Sequence, residues 1–234
     1  MSRKKVKYAV KLEAFRAIDN PSLCRDFIIG HSGVLQSFGI KSVTSSEPNW
    51  VNNPNSYVIV AFSELDNRMV AGIRVHVHDT NWPLPMVDAI FSKDSKIEDY
   101  VLEKARSGTG EICGLWNDRI VKGYGISNVL IRTAVVIINQ LPISSLLGLC
   151  SPYTMEWLKN SGFIKERTLG NDGEFYYPKD DLIATSIIIP DPNELQFAKS
   201  IVRDQINELR ENKVGFFLDE LGGITLRINY NLDL

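Results

Sequence analysis

The sequence predicts an α/β fold, a central sheet flanked by helices, and three observations carry that expectation. The runs Gly110-Glu111-Ile112-Cys113-Gly114-Leu115-Trp116 and Leu146-Leu147-Gly148-Leu149-Cys150 are short and mostly apolar, as buried strands are. Between them Ile126, Val129, Leu130, Ala134, Ile137, Ile138 and Leu141 recur at helical spacing. The two patterns meet at a glycine pair, Lys122-Gly123-Tyr124-Gly125-Ile126-Ser127. Glycines at a strand-to-helix junction let the backbone turn tightly and leave N–H groups free. The helix start adds about half a positive charge there. Together they make a seat for phosphate.

The remaining elements follow in chain order. Residues 8–17 read as a first strand, and 21–29 as a helix capped by Asn20. The segment 30–55, rich in Ser, Asn and Gly, reads as irregular. Two strands, 57–62 and 69–77, are joined by the turn Asp66-Asn67. The segment 83–91, with two prolines, reads as an apolar loop, and 96–105 as a helix. Ser151-Pro152 reads as an N-cap followed by proline at the first helical position. The short helix it opens, with Met155, Trp157 and Leu158, stops at Gly162 before Phe163-Ile164. Residues 175–177 and 183–189 look like closing strands, and Pro190-Asp191-Pro192 breaks the pattern. Residues 193–212 then form an amphipathic helix with Leu195, Ala198, Ile201, Val202, Ile206 and Leu209 on one face. Residues 214–218 and 224–228 suggest a hairpin around Gly222-Gly223. The expected division is a domain over 1–190 and a C-terminal helix-hairpin extension over 191–234, packed on the core, covering a sheet edge or building a homodimer contact.

Composition narrows the function classes. The 234 residues are 44% hydrophobic and 23% charged, with a net charge of −2. That balance gives no electrostatic reason to expect nucleic acid or a membrane surface as partner. No run of about 18 apolar residues offers a membrane span. The basic start, Met1-Ser2-Arg3-Lys4-Lys5, is followed by no apolar signal core. Cys24, Cys113 and Cys150 are too few and too widely spaced for a disulfide framework, so a reducing cytoplasm is expected.

The phosphate seat admits several readings. A dinucleotide fingerprint wants a third glycine where Asn128 stands and an acid about 20 residues on; no Asp or Glu occurs between Asp118 and Glu156. The GxxxxGK[ST] loop is absent. A tight turn with a purely structural role remains open.

The order strand, glycine turn, long helix, strand, short helix, Gly-Phe resembles the GCN5-related N-acetyltransferase (GNAT) superfamily. The match rests on Lys122 to Ser127 and on Trp157-Leu158-Lys159-Asn160-Ser161-Gly162-Phe163. It is tightest over 110–165. The resemblance implies a mixed, mostly antiparallel sheet. It also implies acetyl-CoA or another acyl-CoA as cosubstrate and an amine as acceptor. The loop N–H groups of Gly123, Tyr124, Gly125 and Ile126 would take the pyrophosphate, with Lys122 and Ser127 beside them. The strand at Leu115, Trp116 and Asn117 would pair with the pantetheine arm. Two positions depart from the family pattern. Ile120 replaces a Gln or Arg, although Arg119 and Lys122 flank it, and Leu158 stands where a tyrosine acid is usual.

Acyl transfer to an amine needs a base, a stabilised oxyanion and departure of a thiolate. Glu111 opens the strand that leads to the loop, where the family often places a glutamate; it is the first candidate for general base. Its plainer reading is a strand cap or an ion pair. Arg74, His76 and His78 alternate with Val75 and Val77, so they share one strand face. That face would be a solvated surface or the acceptor pocket, with a histidine as base. No third ligand is spaced for a metal, and no metal is expected. Cys113, on the face of Glu111, reads as packing. Tyr153 is the substitute acid.

Two other classes remain. The order from Asn81 through Glu111 is similar to acyl-homoserine-lactone synthases and long-chain N-acyl amino acid synthases, which draw on acyl carrier protein or coenzyme A. Gly114 stands where those enzymes carry an arginine. A non-catalytic acyl-CoA-binding or dimerising module is the third.

Overall fold

In the computed structural model, residues 6–41, 43–220 and 224–234 are described; the Gly222-Gly223 turn and the basic start lie outside them. Ten strands join in a single sheet. They are β1 (Tyr8–Arg16), β2 (Ser56–Ser63), β3 (Met69–Val77), β4 (Thr109–Asn117), β5 (Ser145–Cys150), β6 (Ile164–Lys165), β7 (Glu174–Tyr176), β8 (Ile183–Ile189), β9 (Val214–Asp219) and β10 (Leu226–Asn231). Their order is β6-β8-β5-β4-β3-β2-β1-β10-β9, with β7 also on β8. Among the described residues only β4/β5 and β1/β10 are parallel; the other pairs are antiparallel. The expected mixed, mostly antiparallel sheet is therefore present.

Six α-helices of the described residues cover it: α1 (Pro21–Ser37), α2 (Pro85–Ile90), α3 (Lys96–Ala105), α4 (Ile126–Ile137), α5 (Met155–Asn160) and α6 (Ser200–Glu211). One core lies between the sheet and α4, where Ile73, Val75, Val129 and Ile137 meet Leu226 and Ile228. On the opposite side, Phe27 of α1 packs with Trp50 and Trp116, and Met86 and Ile90 of α2 join Ile97 and Leu147. Helix α4 is buried along its whole length, which explains its nearly unbroken apolar sequence.

Several elements differ from the sequence reading, each for a local reason. Helix α1 continues eight residues past Ile29, through part of the expected irregular segment. Gly30 permits this contact, because a Cβ there would lie 2.2 Å from the Trp116 ring. Segment 83–91 is not all loop: Pro85 starts α2 at a position where its missing N–H costs nothing. Ser151 does not cap a helix. Its carbonyl accepts from the Thr154 N–H and hydroxyl, and α5 begins only at Met155. Helix α4 ends at Ile137 and tightens into a 3-10 turn over Ile138–Gln140. Helix α6 starts at Ser200, seven residues later than expected. The Asp191 carboxylate takes the Asn193 and Glu194 N–H groups, and Leu195 sits at φ 50°.

Candidate active site

Strands β4 and β5 pair from Thr109–Ser145 to Ile112–Gly148, and there the ladder stops. Strand β4 continues to Asn117 and β5 to Cys150 without meeting again. Beyond Gly148 the β5-facing edge of β4 therefore carries backbone groups that the sheet does not use. On its other edge β4 stays paired with β3, through an irregularity between Arg74–Cys113 and Gly72–Trp116. Gly114 makes that bulge at φ 62°, where an L side chain is strained. Conformation alone thus favours glycine over any residue with a side chain at this position.

The glycine turn follows directly. Gly123 and Gly125 hold φ 84° and 80°, and Gly125 is the N-cap of α4. The N–H groups of Gly123, Gly125, Ile126 and Ser127 have no acceptor among the described residues. The Tyr124 N–H differs from expectation: it donates to the Val121 carbonyl at 3.2 Å. The Tyr124 ring instead stacks on Tyr8, with centroids 5.1 Å apart. The Ser127 hydroxyl donates to the Asn117 side-chain oxygen at 2.6 Å and ties the turn to β4. Lys122 is exposed. Leu115 packs toward α4, while the Trp116 ring is buried against Phe27 and Gly30 on the other side. In this segment only backbone faces the gap in the sheet.

Glu111 and His76 are cross-strand partners, so their side chains rise side by side from the sheet. Arg74 and Cys113 form the next such pair, and Arg74 donates to the Cys113 sulfur at 3.3 Å while its guanidinium lies 4.3 Å over the Trp50 ring. The face is not solvated: Arg74 is 1% exposed, Glu111 3% and His76 4%. Its cover is α2 together with the 3-10 turn Thr44–Ser46, which pack on each other and on β4. The Met86 N–H of α2 donates to Glu111 Oε2 at 2.8 Å. Tyr177 anchors the cover by accepting the Thr44 N–H at 2.9 Å.

Burial governs the protonation of this cluster. Glu111 is pushed up to about 8 by loss of water, against the opposing effects of the Met86 N–H and Arg74. His76 is pushed down to about 3, first by burial and then by the Arg74 charge. At neutral pH the pair is a largely protonated carboxyl beside a neutral imidazole. The Asn55 N–H donates to Asn53 Oδ1 at 2.8 Å, which turns the Asn53 amide nitrogen toward His76 Nε2, also at 2.8 Å. The Trp82 carbonyl, 3.4 Å from the same nitrogen, is the weaker neighbour. His76 Nε2 therefore accepts, and the ring proton sits on Nδ1, which has no partner. The Cys113 thiol is raised to about 11 by burial, in keeping with packing rather than nucleophilic use.

The other sequence-predicted residues stand apart. His78 lies one residue beyond β3, half-buried, with its pKa lowered by burial. Tyr153 is 90% exposed in the turn after β5, and Leu158 is buried. Among the described residues no three His, Cys, Asp or Glu side chains gather as a metal site. Sequence reasoning missed Asn53 and the Met86 N–H; the Asn53-Pro54-Asn55 turn was the available signal for the first. A groove of about 600 Å³ opens elsewhere, between α1 and the β2–β3 turn beside Gly33, Met69, Trp116 and Arg119.

No protein-family model and no curated protein matches the sequence. Solved structures do match. FeeM, an N-acyl amino acid synthase from uncultured soil microbes, aligns with a TM-score of 0.60 at 12% identity, over 83% of this chain and 97% of that one. BjaI, a CoA-dependent acyl-homoserine lactone synthase solved with SAM and isopentyl-CoA, gives 0.54 at 11% identity, over 85% and 90%. An acyl-CoA N-acyltransferase from Pseudomonas aeruginosa gives 0.51 at 9% identity, over 76% and 97%. At such identities the likeness is one of architecture: the chain has the GNAT-like fold that its glycine turn and closing Gly-Phe segment implied.

Proposed function

We propose that this protein is an N-acyltransferase that moves an acyl group from acyl-CoA to an amine by direct attack. The observation that supports it most is the gap between β4 and β5, which leads to four free N–H groups at the start of α4. The pyrophosphate of coenzyme A would accept from Gly123, Gly125, Ile126 and Ser127, favoured by the helix dipole. The pantetheine arm would take the unused β4 edge at Leu115–Asn117 as a strand would. Its thioester would then lie near Cys113 and Glu111. Glu111, once deprotonated, removes a proton from the acceptor ammonium, directly or through water. His76, held in its Nδ1–H form by Asn53, serves as a donor in this arrangement rather than as the base. The three cysteines are free and no helix of the described residues is long and apolar enough to cross a membrane; a cytoplasmic setting belongs to the same proposal.

A second reading concerns the donor. The FeeM and BjaI folds align over 97% and 90% of their own lengths, which favours testing acyl groups longer than acetyl. The test is a thermal-shift series with acetyl-CoA, longer acyl-CoAs and coenzyme A alone, followed by thiol release with a panel of amines. A ligand at 100 times its Kd stabilises the native state by about 2.7 kcal/mol. Gly125→Val should abolish the shift while the protein stays folded, because a β-branched residue resists the left-handed conformation and crowds the phosphate seat. An unchanged acyl-CoA affinity in that variant would refute the proposal.

A further inference from the structure

The sheet has an uncovered stretch. Strands β1 and β10 bury their α4-side residues: Val10, Leu12 and Ala14 on β1, and Leu226, Ile228 and Tyr230 on β10. On the opposite face Arg227, Asn229 and Asn231 of β10 and Lys11 and Glu13 of β1 are polar and exposed or half-exposed, while the apolar Ala9 and Phe15 of β1 are half-buried. The same face of β9 breaks the rule. Val214, Phe216 and Leu218 are 65%, 69% and 52% exposed and form an unbroken apolar row. Strand β9 is also the end of the sheet, so one of its edges has backbone groups that pair with no strand among the described residues. Edge strands are ordinarily guarded by lysine, proline, a bulge or shortness. Residues 214–218 contain no charge and no proline, and all six residues of β9 pair with β10 in continuous register.

We propose that β9 pairs antiparallel with β9 of a second copy of this chain, on a two-fold axis at Phe216. The sequence is self-complementary in that register. Phe216 faces itself and Val214 faces Leu218, so the apolar rows meet on one side and gain cross-strand contacts. On the other side Gly215, which carries no side chain, faces Phe217. A two-fold axis makes the contact isologous and closed, so it yields a dimer rather than a fibre. A strand pair of five residues a side buries less than the roughly 1,200–2,000 Å² of a stable interface, so the dimer is weak and concentration-dependent. The pairing does not depend on the acyl-transfer reading.

The test uses the full chain. Sedimentation should show a monomer–dimer equilibrium as concentration rises to about 0.5 mM, the weak end of measurable affinity. Phe216→Glu should raise the dimer Kd at least about tenfold with an unchanged melting curve, as expected for an exposed position at the interface centre. Val214→Lys is the second variant and should act alike. Directly opposed antiparallel residues have Cα atoms about 4.5–5.5 Å apart, within disulfide range. Under oxidation, Phe216→Cys should therefore cross-link to itself. Val214→Cys and Leu218→Cys should each fail alone but cross-link when mixed. A chain that stays monomeric throughout overturns the proposal. So does a dimer indifferent to Phe216→Glu, or cross-linking that ignores this register.

Discussion

Glu111 is the base of the proposed reaction, and its position sets its protonation. It lies in the sheet, roofed by α2, with one N–H donor to its carboxyl and its pKa at about 8. The stability consequence has a definite sign. Its folded pKa lies above the ordinary 4.5, so between those values the native state holds a proton that the unfolded chain has released. Stability is fully present below about pH 4.5 and falls as pH rises toward 8, by at most about 1.4 kcal/mol per unit for one proton. Glu111→Gln keeps an acceptor for the Met86 N–H and removes the titration. Denaturant melts across pH 5–9 should show a flatter profile and a more stable protein at the alkaline end; an unchanged profile would mean that Glu111 titrates normally. For the reaction, turnover should rise with pH and level off above about 8. The same variant should lose about 10²- to 10⁴-fold in rate. At the thiolate end the expectation is the opposite. Leu158 carries no proton, and Tyr153 is exposed in a surface turn. Tyr153→Phe should leave turnover and acyl-CoA affinity unchanged, and a large fall in turnover would reveal a tyrosine acid.

At the scale of elements, α4 and β9 are locked by charge. Arg132 of α4 donates to Asp219 at the end of β9 at 2.7 Å, with both side chains 1% exposed. Two further Arg132 nitrogens are buried without partners, so the ion pair is the main compensation for a costly burial. Asp219→Asn should destabilise the fold by about 3–5 kcal/mol in chemical denaturation, the usual result of stranding a buried charge. A loss under about 1 kcal/mol would show that the guanidinium finds water there. Nothing local in the sequence announced this pair, because its members are 87 positions apart. The same limit divides what was legible from what was not. The glycine turn, α3, β3 and β8 are set by local chemistry, and the structure has them where the sequence placed them. Helix α1 looked finished at Gly30 because that glycine's reason, the Trp116 ring, comes 86 residues later. Arg74 and His76 looked like a solvated row because the cover over them comes from Thr44–Ser46 and α2, which the sequence left as loops. Alternation shows which residues share a face; it does not show what lies above that face.

At the scale of the whole molecule, the chain's two ends interlock. Strand β1 is held by β2 on one side and by β10, in parallel, on the other. The C-terminal strand thus completes the sheet that the N-terminal strand begins, and Leu226, Ile228, Tyr230 and Leu232 are buried in the same core as Val10, Leu12 and Ile73. Helix α6 adds Val202, Ile206 and Leu209 to that core, and Arg210 donates to the Val135 carbonyl of α4 at 3.2 Å. Side chains of this size contribute about 1.5–3 kcal/mol each when fully buried. Domains as a whole are stable by only about 5–15 kcal/mol. Deleting residues 213–234 would expose the β1 edge, remove four core side chains and leave Arg132 without Asp219. The expected outcome is a chain with no cooperative thermal transition, bound dye indicating exposed apolar surface, and no acyl-CoA-induced shift. If the shortened chain instead melts cooperatively within a few degrees of the full protein, residues 1–212 fold without β9 and β10 and those two strands are an appendage. The intact chain should unfold in one transition, with tryptophan fluorescence and far-ultraviolet dichroism coinciding, since Trp50 and Trp116 on one side and Trp157 on the other report on both sides of one sheet.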